Sequence, residues 1–113
     1  MTEAVAHTHS PYAGTTHVVV LVLDELRVGL PLSSVERVVR VVESTMLPGA
    51  PDVVRGVVNV QGHVIPVLDV RSRFRLPERA IAPSDLMVIA HTTRRTVALV
   101  VDSVTGVLDC SGL

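Results

Sequence analysis

Residues 55–70 read RGVVNVQGHVIPVLDV, and the fold is decided by how this stretch is paired. Two apolar runs flank Gln61-Gly62, and a glycine in a short connection can take the positive φ that a tight hairpin needs. Val57–Gln61 and His63–Val70 are therefore expected to be antiparallel strands. Pro66 has no N–H to give to a ladder, so it marks an edge or a bulge. Asp69 can cap a short turn through Arg71–Phe74. Only Asn59, Gln61, His63 and Asp69 interrupt the apolar run as polar side chains.

The same grammar extends outward. Val18–Leu23 is a short apolar run, Asp24-Glu25 a polar two-residue connection, and LRVGLPL the returning strand. Ser33 or Ser34 offers an N-cap for a brief helical turn through Val35-Glu36-Arg37, with a strand over Val38–Glu43. Residues 44–52 (STMLPGAPD) are rich in turn formers, and Pro51 permits one short helical turn. Residues 75–84 are expected as a loop. Leu86–His91 and Thr96–Asp102 form another hairpin across Thr93-Arg94-Arg95. In the second strand Val97, Leu99 and Val101 share one face and Ala98 and Val100 the other, so both faces are apolar and both are expected to be buried. Val104–Leu108 is a last strand. Residues 1–15 read as a flexible tail and 16–113 as the folded domain. Eight or so short strands without a long helix mean an all-β fold, a small barrel or sandwich or two half-barrels.

Composition agrees. Hydrophobic residues are 48% of the 113 and charged residues 19%. Val, the commonest residue, suits pleated, half-buried surfaces. The net charge of -1 and the two aromatics, Tyr12 and Phe74, argue against nucleic-acid binding. Every basic residue is Arg. Cys110 is the single cysteine, which precludes an internal disulfide and fits a reducing cytoplasm. No apolar run approaches the ~20 residues that cross a bilayer, so no membrane insertion is expected.

Chemistry is sought and not found. No serine sits in a nucleophile elbow, and no phosphate-binding glycine loop is present. His7 and His9 lie in the tail, and His17, His63 and His91 have no Cys or Glu at ligand spacing, so neither a metal nor another cofactor is expected. Asp69 and Asp102 each follow a strand and read as caps or turn residues. Arg71, Arg73, Arg75 and Arg79 form a basic run that is either a solvated turn or a docking patch for an acidic helix.

Taken together, LDELRVGLPLSSVERVVR, LPGAPDVVRGVVNVQGHVIPVLDVRSRF and VALVVDSVTGVLD resemble the CheW-like domain, the coupling module of bacterial chemosensory arrays. The resemblance covers residues 17–109 and is most specific over Arg55–Arg71, against a family pattern R-G-x-x-N-x-R-G-x-x-x-P-V-x-D-L-R. It implies two small intertwined β-barrels with a groove between them and no catalysis. It implies a cytoplasmic adaptor that binds the cytoplasmic tip of a methyl-accepting chemoreceptor and the regulatory domain of a CheA-type histidine kinase or another CheW-like protein. By position, Val35 and Val38 are expected beside the receptor groove with Leu86 and Met87 across from them. Arg55, Asn59, Gln61 and Arg37 are expected at the partner-binding face.

Two departures from the pattern stand out. The family's arginine in N-x-R-G is Gln61 here, and its acid in V-x-E is Arg37. The two positions look suited to pair, and an orphaned charge at a partly buried site costs about 3–5 kcal/mol. Their joint change implies that the site was remodelled as a unit. The chain also stops at Leu113, where family members continue, so the second barrel is expected to lack a strand and to leave an edge open to self-association. These departures favour an accessory coupler, similar to the Frz-type proteins of gliding motility, with weakened or absent kinase binding. A full receptor–kinase scaffold is the alternative, and a small RNA-binding barrel a remote one.

Overall fold

The computed structural model describes residues 17–41 and 54–110. The expected tail over 1–15, the turn-rich stretch 44–52 with its helical turn at Pro51, and the end of the Val38–Glu43 strand lie outside those residues. Within them the chain is built from eight strands: β1 (His17–Leu23), β2 (Leu26–Pro31), β3 (Val35–Arg40), β4 (Val54–Val60), β5 (His63–Leu68), β6 (Leu86–His91), β7 (Thr96–Val101) and β8 (Ser103–Asp109). They form two sheets, one ordered β2-β1-β8 and the other β3-β6-β7-β5-β4. The chain starts in the first sheet, crosses to the second after Pro31, and returns to the first at Asp102. This is the all-β fold expected from the strand pattern, in the interlaced arrangement that the family resemblance implies.

The central hairpin sets the architecture. β6 and β7 pair antiparallel from Leu86↔Val101 to His91↔Thr96. Alternate side chains point to opposite faces of a sheet, and here both faces are covered. Met87, Ile89, Ala98 and Val100 join Val58, Ile65 and Val67 in one core inside the curve of the five-stranded sheet. Val88 and Val101 join Val19, Leu21 and Leu23 in a second core beneath the three-stranded sheet. A strand that walls off two cores can afford no polar position, which is why TVALVV has none after its first residue.

The opening stretch folds as a hairpin. β4 and β5 pair from Val54↔Leu68 to Val60↔His63. Gln61 and Gly62 both take positive φ, 51° and 85°, which gives the turn a twist that matches the flanking strands. Pro66 does not lie on an edge strand, because β5 sits between β4 and β7. It is tolerated because the parallel pairing with β7 is confined to Val67 and Leu68, after the proline.

The helical turn comes earlier than expected. A single 3-10 turn covers Leu32–Ser34, Pro31 precedes it at φ −55°, and no serine side chain caps it. Val35 is already in β3, paired with Ala90. The β-branched residues Val35, Val38 and Val39 gain more from the ladder against β6 than a solvated turn would return.

Three bulges adjust the sheets. Glu36 has no opposite residue between the Val35↔Ala90 and Arg37↔Ile89 pairs, Arg55 none between Val54↔Leu68 and Gly56↔Val67, and Thr105 none between Gly106↔Val20 and Val104↔Leu21. Gly106 supplies the φ of 143° that the last of these requires. Among the described residues β8 and β2 are the edges of the smaller sheet, and Val107 and Leu108 are exposed on β8.

Because Met87 and Val88 are neighbours that serve different cores, truncations in either are expected to weaken one cooperative unit. Met87→Ala should cost about 2–5 kcal/mol and Ile89→Val about 0.5–1.5 kcal/mol. Val64→Ala, on a 68% exposed side chain, should stay within about 0.5 kcal/mol. Urea denaturation of the three variants followed by circular dichroism measures this.

Candidate functional site

The bulge at Glu36 has a steric consequence for β3. An extra residue shifts the in–out alternation by one. Val35 therefore packs against the second core, whereas Val39 and Val41 pack against the first. Downstream of the bulge Val38 stands opposite Val88 and Arg40 opposite Leu86, so Val38 and Leu86 lie on the second-core face with Val35. These three form a strip of partly covered apolar surface, with Val38 at 40% exposure and Val35 and Leu86 half-buried. Met87 does not belong to it. Its side chain has no exposed surface and points into the first core, so it can stiffen the strip but not touch a partner. Strand alternation alone separates it from Leu86.

On the other face of β3, Arg37 stands opposite Ile89, at the mouth of the first core. Its Nη2 donates to Gln61 Oε1 at 2.8 Å. The edge strand β3 and the β4–β5 turn are thereby joined by a side-chain bond across the open seam of the five-stranded sheet. The two positions do pair, as their joint departure from the family pattern implies. They are exposed, however, and not partly buried, so the 3–5 kcal/mol penalty for an orphaned charge does not apply, and an exposed contact contributes about 0–1 kcal/mol.

The other expected site residues are occupied with structure. Asn59 Oδ1 accepts the Gly62 N–H at 2.9 Å and so braces the turn. Arg55, the bulged residue of β4, is paired with Asp69 at 2.5 Å. Asp69 also accepts the Arg71 N–H at 3.0 Å, bracing the 3-10 turn at Ser72–Phe74.

Sequence reasoning missed a larger feature. Arg71 and Arg79 are not part of a basic surface run; they sit in an ion-pair cluster with Asp24, Asp85 and Asp102. Arg71 is 6% exposed. It donates to Asp24 at 2.5 Å, to Asp102 at 3.4 Å and to the Pro77 carbonyl at 2.8 Å. Arg79 grips both Asp85 oxygens at 2.9 and 3.0 Å and also bonds Asp102. Asp102 accepts the Asp24 N–H at 2.6 Å, and Asp85 that of Ala82 at 2.8 Å. The cluster ties the β1–β2 turn, the loop before β6 and the β7–β8 crossing together. Asp24 and Asp102 thus act through carboxylate pairing, where the sequence suggested only turn formers. Only Arg73 and Arg75 of the run remain exposed. The hydrogen bond from Arg71 holds the Asp24 carboxyl below its ordinary value, and that from Arg79 does the same for Asp85. Both guanidiniums are raised in turn, by their hydrogen bonds to Asp24 and to Asp85.

Known proteins are similar over this whole arrangement. The family model for the CheW-like domain matches residues 17–112. A Klebsiella aerogenes protein, "Chemotaxis protein CheW", is 26% identical over 104 residues, covering 89% of this chain and 63% of its own. Protein FrzA of Myxococcus xanthus is 32% identical over 84 residues, 74% of this chain and 52% of that protein. The crystal structure of the scaffolding protein TtCheW from Thermoanaerobacter tengcongensis superposes with a TM-score of 0.77 at 30% identity, over 84% of this chain and 65% of that one. The chain thus spans less than two thirds of the length of each. Among the described residues no helix is long and apolar enough to cross a membrane.

The cluster and the Arg37 contact should differ sharply in stability. Arg71→Met is expected to cost about 2–3 kcal/mol, below the full cost of a broken buried pair because Asp24 and Asp102 still reach water. Arg37→Ala should cost less than about 1 kcal/mol. The depressed Asp24 and Asp85 carboxyls contribute stability above the ordinary carboxylate value of 3.8, lost as pH falls through their lower values. The urea midpoint should therefore hold from pH 7 to about 5 and fall below about 4, and Asp85→Asn should flatten that fall.

Proposed function

The chain belongs to the CheW-like domain family, and from that premise we propose that it is a non-enzymatic coupling protein of a chemosensory array that docks on the cytoplasmic tip of a chemoreceptor. The observation that carries this reading is the strip of Val35, Val38 and Leu86. Apolar side chains that remain partly exposed on a stiff sheet suit an amphipathic helix, whose apolar stripe can be laid along them. A wall packed on both faces presents that strip without reorganisation, which spares the ordering cost of binding. Array association places the protein at the cytoplasmic side of the membrane through its partner.

A narrower reading concerns the kinase. The seam between β3 and the β4–β5 turn carries a cation and a neutral amide, Arg37 and Gln61, where the family pattern has an acid and an arginine. The seam's charge is changed in sign at one position and removed at the other. A partner surface complementary to the family arrangement meets a mismatch here, and rim charges of this kind set selectivity and association rate. On this reading the protein is an accessory coupler that binds the receptor and binds the kinase regulatory domain weakly or not at all. A full scaffold joining receptor and kinase is the alternative.

The test is a parallel pull-down against a receptor signalling tip and a kinase regulatory domain. Receptor binding should be lost in Val38→Asp and kept in Arg37→Glu/Gln61→Arg. Kinase binding should be weak in the native protein and rise in that double variant beyond either single change, a non-additive gain expected only of coupled positions. No receptor binding at high micromolar concentration overturns the coupling reading. Kinase binding by the native protein as tight as that of a full-length coupler overturns the accessory one.

A further inference from the structure

A groove of about 560 Å³ opens at the mouth of the first core, on the face of β3 opposite the Val35–Val38 strip. Its cationic side chains are Arg37, Arg94 and Arg95, with His63 beside them. Among the described residues no carboxylate lies within 4.0 Å of any of the three guanidiniums, whereas Arg55, Arg71 and Arg79 are all paired. The one acid in the lining, Glu36, lies 3.4 Å from His91 Nδ1. The chain as a whole carries a net charge of -1, so this concentration of positive charge is local. The floor is apolar, formed by Val60, Ile65 and Ile89, and Val64 stands 68% exposed at the side.

We propose that this groove is a docking site for an acidic protein segment that carries apolar side chains among its carboxylates. Charge complementarity selects the occupant. Three arginines with no carboxylate partner among the described residues, one of them held by the Gln61 amide, offer forked donors that match carboxylates, and the apolar floor and Val64 give the intervening side chains a place to bury. A nucleic acid is disfavoured, because base recognition on such surfaces relies on aromatic stacking and among the described residues the groove is lined by no Phe, Tyr or Trp and by one imidazole, His63. Thr92 fixes the turn that presents Arg94 and Arg95. Its hydroxyl accepts both their backbone N–H groups, at 3.1 and 3.2 Å, which fixes the backbone from which the two arginine side chains reach the groove. The site does not need the receptor reading, because it uses the other face of β3; it shares Arg37 and Gln61 with the seam of the kinase reading, and its test uses neither receptor nor kinase.

The test uses the full chain and a fluorescent synthetic peptide of repeating leucine and glutamate, with a twin in which lysine replaces glutamate. The glutamate peptide should bind and weaken as salt is raised, while the twin should not bind. Arg94→Glu/Arg95→Glu, at exposed turn positions, should weaken binding at least about tenfold, and Arg94→Lys/Arg95→Lys should keep most of it. Val64→Ser should weaken binding without reversing the peptide preference. Amide shift changes in the native protein should map to β3, the start of β5 and the 92–95 turn, a readout that does not depend on any variant folding. Equal binding of both peptides, an unaffected charge-reversed variant, shifts confined elsewhere, or tighter binding of a single-stranded oligonucleotide than of the glutamate peptide overturns the proposal. Receptor binding through the Val35–Val38 strip is unaffected by such a failure.

Discussion

The burial of the β6–β7 hairpin on both faces is the constraint from which the rest of the structure follows. A two-stranded ribbon is marginal alone, and this one is stable because each face closes a separate core. Met87, Ile89, Ala98 and Val100 require the curled partners β4 and β5, while Val88 and Val101 require β1. Neither sheet can be built without the other. The rigidity needed to present a docking face is therefore a property of the shared wall and not of the face itself. The exposed side chains of the outer strand β3, Glu36, Arg37, Val38 and Arg40, can be exchanged for partner recognition at little cost, while those one strand inward cannot.

Much of this was written in the sequence. Val97 through Val101 alternate without a polar residue, and a strand apolar on both faces has to be an internal wall. The Gln61-Gly62 turn was legible from its glycine, and the contact of Arg37 with Gln61 from their joint departure from a family pattern. What the sequence hides is whatever depends on an unpaired residue. The bulge at Glu36 changes which face every later side chain of β3 occupies, yet VERVV carries no glycine to announce it. With regular alternation Val35 and Val38 would point to opposite faces; the extra residue is what brings them together. Conversely, grouping Leu86 with Met87 ignored the alternation that separates adjacent side chains.

The arginines were hidden for a different reason. Arg71 and Asp24 are 47 residues apart in the chain, and a run of basic residues in a polar loop gives no sign of which will be drawn inward. Two of the four were. Arg71 and Arg79 exchange solvation for fixed carboxylates at the point where the chain passes between sheets, and a guanidinium, with its several donors, can bond the β1–β2 turn, the β7–β8 crossing and a loop carbonyl together. A lysine would offer the charge but not the fan of directions. The exclusive use of arginine, uninformative as composition, has a structural use at this crossing.

With those charges withdrawn, the remaining cations acquire meaning. Arg55, Arg71 and Arg79 are neutralised within the fold; of the other seven, Arg37, Arg94 and Arg95 converge on one groove, while Arg27, Arg40, Arg73 and Arg75 do not line it. Strand β3 is what divides the labour. Its bulge turns Val35 and Val38 toward the second core and Arg37 toward the mouth of the first. One edge strand, held from behind by a wall it does not perturb, so offers an apolar strip on one face and a charged rim on the other. The two proposed docking sites therefore need not compete, because the faces are chemically distinct and mechanically joined by the same six residues.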